Sequence, residues 1–122
     1  MSDISIPLPI DYSYLYEISD NDRDFIKDML DTIVKNTPGN LDEIGAAEQG
    51  QKWNELARSV HKLKPSLLLL NIASLTDLVK SLESNAKSQA APATIKKQIA
   101  ELKEFCDLLV SEIKKDIASD DY

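Results

Sequence analysis

Trp53, Leu56, Val60, Leu63, Leu67 and Leu70 step along the chain by three, four, three, four and three residues. That spacing returns each apolar side chain to the same side of a 3.6-residue helix, so one face must be covered by other parts of the fold. A second seam, Ile95, Ile99, Leu102, Cys106, Leu109 and Ile113, has the same character. A third runs through Ile26, Leu30, Ile33, Thr37, Leu41 and Ile44, and its register continues across Pro38-Gly39. One kinked helix or two nearly coaxial ones are expected there. Leu75, Leu78, Val79, Leu82 and Ala86 supply a fourth apolar face. Four amphipathic segments joined by short connections predict an all-α chain folded as an antiparallel up-down four-helix bundle.

The borders follow from turn and cap chemistry. Ile6-Pro-Leu-Pro-Ile10 prevents a helix, so residues 1–12 are read as an extended N-terminal segment. A short helix is expected just after it, with Tyr14, Leu15 and Ile18 on one side. Asp20 or Asn21 is the expected N-cap of the next helix, and Gly50 the residue that closes its far end. Asn71 suits a left-handed helix terminator, Ser74 and Asp77 an S-x-x-D cap, and Pro92 a first helical turn. Residues 13–117 then form the bundle and 118–122 a frayed tail.

Composition removes several function classes. With 122 residues, 43% hydrophobic and 29% charged, the chain suits one soluble domain. A net charge of −7 argues against nonspecific nucleic-acid binding. No apolar run approaches a membrane span and no signal peptide is evident, so a cytoplasmic protein is expected. The single cysteine, on a seam, is read as a small core hydrophobe in a reducing compartment. One histidine and one cysteine far apart give no metal cluster, and nothing resembles a nucleotide loop or a nucleophile triad. Neither a metal nor a cofactor is expected.

What remains is the histidine. His61 follows Val60 of the first seam, so it is turned by about 100° toward solvent. An imidazole is nucleophilic and largely neutral near pH 7. Lys64 and Arg58, one turn to either side, can give charge-assisted hydrogen bonds to a phosphoryl group on the ring. Ala57 leaves room beside the ring, and Leu68, two turns on, offers an apolar docking point. Pro65 opposes the carbonyl of His61 and either presents the imidazole or crowds it.

These residues resemble a family. His61-Lys-Leu-Lys64, an apolar run, Asn71-Ile72 and then Leu75 through Leu82-Glu83 are similar to the histidine phosphotransfer (HPt) pattern, H-x-L-K-G followed by a later glycine and an apolar helix ending in L-E. Phe25 to Leu30, Thr37-Pro38 and Ala46-Ala47 extend the resemblance upstream. Pro65 and Asn71 stand where that pattern has glycine. The resemblance implies a phosphorelay intermediate without autonomous catalysis. His61 would be the phosphoacceptor, with Lys64 and Arg58 supporting the phosphate and Ala57, Pro65 and Leu68 meeting the partner. The implied partners are response-regulator receiver domains and a hybrid sensor kinase, with magnesium held by the receiver and the chain itself a monomer. The alternative is a non-catalytic helical adaptor that uses the same face.

Overall fold

The computed structural model describes residues 9–122. Within them lie five helices and no strand: α1 (Ser13–Ile18), α2 (Arg23–Gln49), α3 (Trp53–Leu68), α4 (Ala73–Ser88) and α5 (Pro92–Ala118). α2 packs on α3 and α5, α4 packs on α3 and α5, and α1 touches α2. Residues 1–8, most of the expected extended segment, lie outside the described residues. Of its remainder, Ile10 and Tyr12 are buried in the core.

The seams become the core. Ile26, Leu30, Ile33 and Ile44 of α2, Leu56, Val60, Leu63 and Leu67 of α3, Leu75, Val79 and Leu82 of α4, and Ile95, Leu102, Cys106 and Ile113 of α5 form one cluster. Each fully buried aliphatic side chain contributes about 1.5–3 kcal/mol over its exposed state. Trp53, Leu41 and Ile99, expected on the seams, pack at the edge of that cluster. Cys106 is a buried free thiol whose pKa burial pushes up to about 12, which keeps it inert.

Both internal prolines are absorbed. α2 continues through Pro38 and α3 through Pro65. Each helix continues past its proline because packing of the buried face outweighs one lost backbone bond.

The helix ends differ from the sequence expectations at several points. The N-cap of α2 is Asp22, whose carboxylate accepts from the Phe25 amide, while Asp20 and Asn21 form the preceding turn with positive φ. α2 does not end on a left-handed glycine: Gly50 is right-handed, and Gln51 takes φ 53°. The Lys52 amide then reaches the Ala47 carbonyl, closing the helix end. Asn71, at φ 54°, has the anticipated geometry. Ile72, with no side-chain bond, caps α4 in place of the Ser74 and Asp77 pair. In α1 only Leu15 is buried, and Tyr14 and Ile18 are exposed, because one and a half turns present a single residue inward.

The C-terminal residues Asp120 and Tyr122 contact the start of α2. Arg23 donates to the Asp120 carbonyl and carboxylate and lies 4.1 Å from the centre of the Tyr122 ring, a cation–π arrangement. The Tyr12 hydroxyl donates to Asp116 of α5. The two ends of the described chain are thereby tied to the same end of α5.

Candidate functional site

Glu83 is the charged residue that the apolar rhythm of α4 draws inward. Leu75, Val79 and Glu83 are spaced by four residues, so the carboxylate falls on the core stripe between Val79 and Ala86. Its side chain is only 6% exposed. A carboxylate in that position must be paired, because removing it from water without partners costs several kcal/mol.

Its partners come from α3 and from its own helix. Lys64 Nζ donates to Glu83 Oε1 at 2.6 Å, and His61 Nδ1 lies 2.7 Å from Oε2. Lys87, one turn along α4, approaches Oε2 at 3.5 Å. The Lys64 hydrogen bond, the His61 bond and the charges of Lys64 and Lys87 outweigh the burial penalty and draw the Glu83 carboxyl from 4.5 down to about 2. Near neutral pH it is ionised and can only accept hydrogen bonds.

That fixes the histidine chemically. An acceptor-only carboxylate requires His61 Nδ1 to carry the proton, so in the neutral ring Nε2 holds the lone pair. Nε2 has no hydrogen-bond partner among the described residues, and the side chain is 66% exposed. The arrangement is an oriented imidazole anchored at one nitrogen, with a free nucleophile at the other.

The residues singled out in the sequence sort into three groups. His61 and Lys64 meet in one cluster around Glu83. Arg58 and Pro65 are exposed along α3, before and after His61. Arg58 forms no ion pair among the described residues. Ala57, expected to leave open space beside the ring, is 6% exposed and belongs to the core, because the buried stripe of α3 is wider than its leucine seam. Leu68, read as an apolar docking point, is half-buried at the end of α3.

Lys64 is 24% exposed and its ammonium is committed to Glu83, whereas Lys87 is 64% exposed and more loosely held. Glu83 and Lys87 were not singled out from the sequence as members of the site. The available signal was a lone carboxylate on an apolar helical rhythm, which demands a cation from a facing helix. Among the described residues no group of His, Cys, Asp and Glu is arranged to hold a metal ion. No helix among them is long and apolar enough to cross a membrane.

Comparison with known proteins matches residues 28–113 to the family described as Hpt domain. No curated protein and no solved structure matches the chain.

Proposed function

The chain belongs to the Hpt domain family, and from that premise we propose that His61 accepts a phosphoryl group from a receiver-domain aspartyl phosphate and passes it to a second receiver. Hpt domains are phosphocarrier modules of phosphorelay signalling and interact with receiver domains. The observation that carries the assignment to His61 is its bond to Glu83. An ionised carboxylate holds Nδ1–H and leaves Nε2 as the exposed nucleophile.

In this reading the Nε2 lone pair attacks phosphorus, and the bond from phosphorus to the aspartyl oxygen breaks with its electron pair leaving on the carboxylate. The ring gains positive charge, which Glu83 opposes across the Nδ1–H bond. Lys87, loosely held, swings to the phosphoryl oxygens, while Lys64 keeps Glu83 ionised and in place. Arg58 adds positive potential one turn away. Magnesium stays with the receiver, so this chain contributes placement more than chemistry. The cyclic order of helix contacts supports an up-down bundle of α2 to α5 as the scaffold. We place the protein in the cytoplasm as a monomer, downstream of a hybrid sensor kinase.

Incubation with phosphorylated receivers should give acid-labile phosphate on the wild-type chain and none on His61→Gln. Label that survives the substitution overturns the site. A second reading, a non-catalytic adaptor, draws on the exposed Pro65 in place of the family glycine. It requires receiver binding that depends on Leu68 and is indifferent to His61, with no labelled phosphate on the wild-type chain.

A further inference from the structure

Two prolines stand inside helices of this chain, Pro38 in α2 and Pro65 in α3, and both are exposed. A proline in a helix interior brings no amide hydrogen, and its ring crowds the carbonyl four residues back, so it weakens the helix it sits in. An exposed position has no need of an apolar ring, and any other residue there would make a stronger helix. Pro65 therefore lowers stability without a packing contact of its own in return. The residue four back from it is His61, whose imidazole Glu83 orients.

The consequence falls on the backbone of His61. In an unbroken helix its carbonyl accepts from the amide of residue 65, and Pro65 has no such hydrogen to give. The helix then resumes, with the Leu69 amide on the Pro65 carbonyl at 3.3 Å. His61 and Pro65 are both exposed, at i and i+4 of one stripe, so the carbonyl between them faces solvent. A backbone acceptor without its helical partner is satisfied from outside, by water in the free protein and by a donor from a molecule that docks over it. The imidazole leans toward the start of α3 and the carbonyl points toward its end. His61 thus offers a nucleophilic nitrogen and, beside it, a freed acceptor. Pro38 frees the carbonyl of Val34 in the same way, on a residue that packs against the core and carries no reactive group.

We propose that Pro65 is a specificity-determining residue for phosphoryl transfer: the His61 carbonyl that it frees accepts a hydrogen bond from a receiver carrying an N–H or O–H donor beside its reactive aspartate. A receiver that presents a carbonyl or carboxylate at that point sets acceptor against acceptor and is disfavoured. The inference rests on the phosphocarrier reading for the identity of the partner, and on the missing amide for the chemistry of the contact.

Two substitutions separate the amide from the ring. Pro65→Ala restores the amide and removes the ring, whereas Pro65→Leu restores the amide and keeps apolar bulk. Both should raise Tm by roughly 5 °C or more, because each mends the helix. Both should also raise the concentration of phosphorylated receiver needed for half-maximal uptake about three- to ten-fold, with the saturated rate little changed. Pro38→Ala should raise Tm to a similar degree and leave uptake as it is. Unchanged or faster uptake in Pro65→Ala overturns the proposal. So does a loss in Pro65→Ala that Pro65→Leu restores, because the ring would then be the determinant.

His61 is the single histidine of the chain, so a carbonyl carbon-13 histidine label gives one resonance and a readout independent of transfer. In the free wild-type chain that resonance should lie upfield of its position in Pro65→Ala, where the helical bond is restored. Unphosphorylated receiver should move the wild-type resonance downfield as its donor arrives. Equal positions in the two free chains, or a resonance that stays in place while the receiver binds, overturn the proposal. A receiver that binds and moves the resonance, with no receiver labelling the chain, sinks the phosphocarrier reading and leaves the contact standing.

Discussion

Two of the polar clusters between helices in this molecule, both built on charged groups, are made to opposite ends. At one, Glu83 gathers His61, Lys64 and Lys87 from α3 and α4 and leaves an imidazole nitrogen free. At the other, Tyr12 donates to Asp116 while Arg23 grips Asp120 and stacks on Tyr122. Both join residues distant in sequence, and both perturb an ionisable group. Glu83 is held well below the usual carboxylate range. The Tyr12 phenol is pushed well above its usual value, first by burial and then by its bond to Asp116 and the charges of Asp116 and Glu112.

The difference lies in what is left over. The Tyr12 hydroxyl spends its proton on Asp116, and that latch presents no nucleophile. The Glu83 cluster has one carboxylate and more donors than it needs, with a reactive ring held at its rim. A perturbed ionisable group is therefore insufficient to mark a site; an adjacent exposed nucleophile is also required. The residues of the latch, Tyr12, Arg23, Asp116, Asp120 and Tyr122, also lie outside the stretch that matches the family, whereas those of the Glu83 cluster lie inside it.

Substitutions should separate the two clusters. Glu83→Gln has the largest expected effect, because it touches both chemistry and fold. An amide can accept from Nδ1–H or donate to a bare Nδ1, so the tautomer is no longer enforced. Replacing a charge-assisted bond with a neutral one forfeits about 1 kcal/mol, which corresponds to a five- to ten-fold slower phosphoryl uptake. Nitrogen-15 shifts of the ring should then report a mixture of tautomers, an outcome that a purely structural Glu83 would not give.

Glu83 also predicts a pH signature. Its folded pKa lies below its unfolded value, so it contributes stability above about pH 4.5 and loses that contribution as pH falls toward 2. Denaturant midpoints of Glu83→Gln should show a shallower acid slope than wild type across that window.

Tyr12→Phe should cost about 1 kcal/mol in chemical denaturation through loss of its hydrogen bond, with phosphoryl uptake unchanged. The sign of its pH dependence is opposite. A phenol kept neutral by the fold contributes stability up to about pH 10 and loses it as the pH rises further, so Tyr12→Phe should remove part of the alkaline slope. Arg23→Ala is the smallest expected effect, a slightly lower denaturation midpoint from loss of an exposed ion pair and a cation–π contact, again without change in uptake. A loss of uptake in either latch variant would break the separation of the two clusters.

The helices were legible because apolar spacing is a local property. Val60 inward and His61 outward follow from one turn of geometry, and Asn71 takes the left-handed position expected of it. The positions misread depend on other elements. Gly50 is the C-cap of α2 as expected, but the left-handed residue of that turn is Gln51. Ala57 is buried because the facing helices cover a stripe wider than the seam. Arg23 could not be matched to Tyr122 by any local pattern.

By itself the sequence determined an all-helical chain, an outward histidine with a lysine one turn away, and membership of a phosphotransfer family. Only the tertiary structure decided what surrounds that histidine. The apolar rhythm of α4 carries Glu83 inward, and the packing of α3 on α4 brings it within hydrogen-bond reach of His61 and Lys64. Periodicity along one helix specifies which way a side chain faces, but a buried charge is satisfied across helices, and that pairing exists only once they have packed.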